Sequence, residues 1–77
     1  MKVKKFYRTQ REVAAVINEI VVEYWVDNLT DEELEKNITM IYENNQRKII
    51  KNGDFTTILK QQCGKNRLNV VANIINN

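Results

Sequence analysis

Seventy-seven residues fit one small core, and 43% hydrophobic against 29% charged residues is the balance of a globular chain. With no His, Pro or Ser and one cysteine, Cys63, there is no intrachain disulfide, no Ser/His or Cys/His catalytic pair and no zinc site built on His and Cys. The net charge of +2 conceals an uneven distribution: Lys2, Lys4, Lys5, Arg8 and Arg11 open the chain without an acid, nine acids face only Lys36 across residues 12–44, and six cations face only Asp54 after that.

The mean hydropathy is −0.51, with no apolar run long enough to span a bilayer. No continuous apolar segment follows the basic start, so a cytoplasmic protein without a signal peptide is expected. The first segment, Lys2-Val3-Lys4-Lys5-Phe6-Tyr7-Arg8, interleaves cations with aromatics. It reads as an arm along a nucleic-acid backbone, as an edge strand with a solvated basic face, or as a disordered tail.

Thr9 followed by Glu12 is a capping box, which predicts a helix from Gln10 to Trp25. Val13, Ile17, Ile20 and Tyr24 lie on one line at helical spacing, and Ala14, Val16, Val21 and Trp25 widen the arc to about half the circumference. That width predicts a homodimer contact through Ala14, Val21 and Trp25, while the dense β-branched residues make a strand through Ile20 to Val26 the competing reading. A second capping box, Thr30 with Glu33, starts a helix whose inward stripe is Leu34, Ile38, Ile41 and Tyr42. Its end has two readings. The preferred one continues the helix to Lys51 and stops at Asn52-Gly53; the other stops near Asn45 and folds Arg47 to Ile58 into a hairpin on an Asn-Gly turn.

Residues 54–77 read as two short helices. Asp54 caps the first, which carries Phe55, Ile58, Leu59 and Cys63; Gly64 in the left-handed conformation ends it; Asn66 caps the last, with Leu68, Val71, Ile74 and Ile75 inward. The expected fold is therefore a single, mainly α domain over 1–77: an arm or edge strand at 1–8, two helices over 9–51, and a helix-turn-helix-like pair over 54–77. The alternative is a winged helix with its hairpin around Asn52-Gly53.

Lys65, Asn66, Asn69, Asn73 and Asn76 project from about a third of the final helix's circumference, opposite Leu68, Val71 and Ile75. An Asn amide can pair both ways with an adenine edge, and Lys or Arg at a helix start can reach phosphate or guanine. Arg67 lies nearer the apolar side, to clamp a phosphate or to cover the core with its stem. Lys4, Lys5, Arg8, Lys65, Asn66, Arg67, Asn69 and Asn73 are accordingly the candidate nucleic-acid contacts. The eleven Asn, nine Ile and eight Lys all use AT-rich codons, so coding composition is a competing source of the Asn-rich face. Cys63 reads as a buried structural thiol, and Asp31, Glu32, Glu33 and Glu35 as a solvated helix face. No catalytic residue, metal ligand or cofactor is expected.

The stretches Phe55-Thr56-Thr57-Ile58, Gly64-Lys65-Asn66-Arg67-Leu68 and Val70 to Ile75, with Thr9-Gln10 and Tyr24-Trp25, resemble a family of short conserved uncharacterised proteins of low-GC Gram-positive bacteria, some encoded on mobile elements. That resemblance implies neither catalytic residues nor a cofactor. Small repressors and accessory proteins of plasmid transfer share the general profile by analogy. The expected function is non-enzymatic binding of double-stranded, AT-rich DNA by a homodimer; the alternative is a module that binds a partner protein through its apolar helix and acidic middle.

Overall fold

The computed structural model describes residues 2–76. Helix α1 spans Gln10–Trp25, α2 spans Asp31–Asn44, and the single turn α3 spans Gln46–Ile49. A hairpin of β1, Ile50–Lys51, and β2, Asp54–Phe55, then leads into α4, Thr57–Ile75. The molecule is mainly helical.

Both capping boxes form. The Thr9 hydroxyl accepts from the Glu12 N–H at 3.1 Å while the Glu12 carboxylate accepts from the Thr9 N–H at 3.1 Å. Thr30 and Glu33 repeat the exchange at 3.1 and 2.9 Å. These reciprocal bonds satisfy donors that a helix start leaves open, which is why α1 and α2 begin where the spacing predicts. The 3.6-residue period also prevails over the β-branched content of residues 20–26.

The continuation of α2 to Lys51 is corrected. The helix stops at Asn44, and Asn45 turns its side chain back into the protein. The hairpin of the alternative reading is present, but each strand is only two residues long, paired Ile50 with Phe55 and Lys51 with Asp54. Asn52 and Gly53 both adopt positive φ, 56° and 80°, as the favoured two-residue turn requires.

The cap assignments of the last segment are corrected as well. Asp54 lies in β2, where its carboxylate accepts from the Phe55 N–H at 2.8 Å and pairs with Lys60. Thr56 occupies the cap position, yet its hydroxyl donates to the Lys48 carbonyl at 2.9 Å and so ties α4 to α3. Gly64 interrupts α4 at φ 79° and ψ 169°, a positive-φ extended conformation open to glycine rather than the left-handed helical one. Asn66 falls inside the first turn after that break and is not its cap.

The break leaves carbonyls without helical partners, and other residues take them up. The Asn18 Nδ2 donates to the Gln62 carbonyl at 2.8 Å, and the Arg67 Nη1 donates to that of Cys63 at 3.2 Å.

α4 packs chiefly on α1, and α2 closes the third side. Ile17, Ile20, Ile38, Ile41, Ile49, Leu59 and Val71 are among the fully buried side chains. Ala14 and Val21, expected on a dimer surface, lie wholly inside this core because α4 covers that flank of α1. Cys63 is buried with them, its Sγ 3.6 Å from the Ala14 carbonyl, and burial pushes the thiol up to about 11. Among the described residues no helix is long and apolar enough to cross a membrane.

Candidate nucleic-acid interface

Residues 65–75, the part of α4 beyond Gly64, turn Leu68 and Val71 inward and leave Lys65, Asn66, Asn69 and Asn73 exposed, as is Asn76 at the C-cap. The amide face inferred from periodicity is therefore solvent-accessible. Lys65 and Asn69 line a groove of 350 Å³ with Phe55, Lys60, Gly64 and Leu68. A second groove adjoins it, since Phe55 and Lys60 also face Lys51 and Asn52 at the hairpin and Gln10 at the start of α1.

Arg67 lies off this face, on the side nearer the core where the helical period places it. It is partly buried, its guanidinium bonded to the Cys63 carbonyl and lying 5.8 Å from the centre of the Trp25 ring. Its length spans the gap between α4 and α1, which brings the charge to the helix break and the indole.

The amino-terminal segment pairs with no strand among the described residues, and side chains rather than a neighbouring strand hold its backbone. Asn45, 3% exposed, accepts from the Tyr7 N–H at 3.1 Å through Oδ1, and its Nδ2 donates to the carbonyls of Lys5 and Ile41, each at 2.8 Å. Tyr7 is buried, and its hydroxyl accepts from the Lys4 N–H at 3.1 Å. Lys4, Lys5 and Arg8 remain exposed, and Lys4 and Arg8 line a cleft with Phe6. The Lys48 ammonium lies 4.5 Å from the centre of the Phe6 ring, which joins this segment to α3 and the hairpin that follows.

Sequence reasoning missed Asn45, Lys48 and Lys60. The two lysines have the residue type of a phosphate contact but no telling spacing, and Asn45 is one of eleven asparagines. Among the described residues the single ion pair is Lys60 with Asp54, so the acids of residues 12–44 form no direct pairs with the cations at either end. The Lys60 ammonium and the Phe55 N–H hold the Asp54 carboxyl below its ordinary range. The acidic residues of α2 lie along its outer surface, where Glu32, Glu35 and Glu43 flank Lys36, Thr39 and Met40. No three His, Cys, Asp or Glu side chains among the described residues cluster as metal ligands would.

Residues 4–76 match a family model described as a conserved hypothetical protein. The chain belongs to that family. No curated protein and no solved structure matches it significantly.

Proposed function

We propose that this protein binds double-stranded DNA without catalysis, with residues 65–75 against base edges, the hairpin as a small wing, and the basic amino-terminal segment on the phosphate backbone. The observation that carries this reading is the shared groove of Lys60, Lys65 and Asn69 beside Phe55, continued by Lys51 and Asn52 at the hairpin. Cations there can meet phosphates while the exposed Asn amides meet adenine edges. Such chemistry suits a small transcription regulator or a plasmid-transfer accessory protein. The test is anisotropy of a labelled AT-rich duplex pool at two salt concentrations. Binding that falls steeply with salt and weakens in Lys65→Ala supports the reading; no binding above background at low salt removes it.

A second reading rests on a different observation. Val22, Trp25 and Val26 form an exposed ridge at the end of α1, with Trp25 47% accessible. We propose this ridge, without Ala14 and Val21, as the contact for a second copy or for a partner protein. An apolar contact responds far less to salt than phosphate binding does. Sedimentation at high micromolar concentration checks self-association: a species of only 9.1 kDa excludes the dimer, and Trp25→Ala weakens a dimer without unfolding the chain.

A further inference from the structure

Phe6 is 63% exposed although both of its neighbours are pinned. The Asn45 amide bridges the Lys5 carbonyl and the Tyr7 N–H, much as a neighbouring strand would. The chain bends at Lys5 and Arg8, and between those bends Tyr7 is buried while Phe6 lies outside. The ring is thus displayed by a held backbone.

Its surroundings are cationic. Lys4, Lys5 and Arg8 are exposed on the same segment, and Lys48 approaches the ring to 4.5 Å. The cleft of 440 Å³ beside the ring is lined by Lys4, Phe6, Tyr7, Arg8 and Glu12. Glu12, its one carboxylate, is engaged by the Thr9 N–H and hydroxyl in the α1 cap. A flat apolar ring among cations matches a ligand that carries both π faces and phosphates. In a duplex the neighbouring pairs cover those faces, whereas an unpaired base offers them.

We propose that Phe6 is a stacking seat for an unpaired nucleobase of single-stranded nucleic acid, with Lys4, Lys5, Arg8 and Lys48 taking the adjoining phosphates. This seat lies apart from the groove beside Lys65, although Lys4, Lys5 and Arg8 belong also to the segment proposed for the duplex backbone.

The test uses the full chain, a fluorescent oligothymidylate and a duplex, both followed by anisotropy. Phe6→Ala is expected to weaken oligothymidylate binding roughly 5- to 150-fold, the effect of losing one base–aromatic stack, while Phe6→Trp retains it. Lys48→Ala lowers the salt dependence on the single strand. Equal affinities of the wild-type chain and Phe6→Ala for oligothymidylate would overturn the proposal, as would no single-strand binding at low salt. Competition by oligoglutamate as effective as that by unlabelled oligothymidylate would also overturn it, since charge alone would then explain the site. Failure of the duplex reading is seen separately, in the response of the duplex to Lys65→Ala and Asn69→Ala.

Discussion

At the residue scale, Asn45 does the work of an element. Its amide closes three hydrogen bonds to main chain at residues 5, 7 and 41, and its burial leaves no water to replace them. Asn45→Ala is expected to cost about 1–3 kcal/mol, the range for leaving buried polar groups unpaired. A lower urea midpoint, with faster tryptic cleavage at Lys4 and Lys5, checks this. Cys63 has a pH signature of its own. Its thiol sits above the ordinary 9.0, at about 11, because burial disfavours the thiolate and the nearby Arg67 charge only partly offsets that. A group whose native pKa is raised contributes stability that is whole below its unfolded value and lost as pH rises through the native one. Stability should therefore decline between pH 9.0 and about 11, and less steeply in Cys63→Ala than in the wild type. Urea unfolding across that window measures the difference.

At the scale of elements, helix starts are local devices. The Thr30 N–H and hydroxyl hold the Glu33 carboxyl below its ordinary 4.5. A lowered native pKa stabilises above the unfolded value, and the stabilisation fades as pH falls through the native one. Thr30→Ala is expected to cost about 1 kcal/mol, and Glu33→Gln to flatten the loss of stability below pH 4.5. Both are read from urea midpoints at neutral and acid pH. The break in α4 tests backbone geometry instead. A Cβ at Gly64 would meet no atom within 4 Å, so Gly64→Ala costs only the strain of φ 79° and ψ 169°. That cost should be about 1–3 kcal/mol, seen as a lowered melting temperature.

At the scale of the whole molecule, the start of the chain meets the cations of its second half around the hairpin. Phe6 of the arm meets Lys48 of α3, Gln10 shares a groove with Lys51 and Lys60, and Lys60 shares the next with Lys65. Contacts to base edges and to phosphates should separate by mutation. Under the proposed function, Asn69→Ala or Asn73→Ala costs roughly 1–3 kcal/mol on a preferred duplex and little on random DNA. Lys4→Ala or Lys5→Ala weakens all duplexes alike and flattens the salt slope by about one unit per lost phosphate contact. Titrations of each variant on both duplexes distinguish the two patterns. Binding that survives both Asn changes and fails with the lysines would place recognition on the arm or the wing.

What the chain reveals without its fold is what neighbours in sequence settle between themselves. Thr9 and Glu12, or Thr30 and Glu33, need only three residues of spacing to cap a helix, and Asn52-Gly53 carries its turn in its own allowed φ values. The exposure of Lys65, Asn66, Asn69 and Asn73 likewise follows from a period that puts Leu68 and Val71 on the other side. Tertiary contacts decided the rest. The competition between a long α2 and a hairpin was settled by Asn45, whose partners lie 38 and 40 residues away. Arg67 found its partners in the Cys63 carbonyl and the Trp25 ring, and Ala14 and Val21 went inside because α4 covers α1 there. Local spacing sets which groups a residue can offer, but burial and pairing depend on which distant segment arrives to accept them.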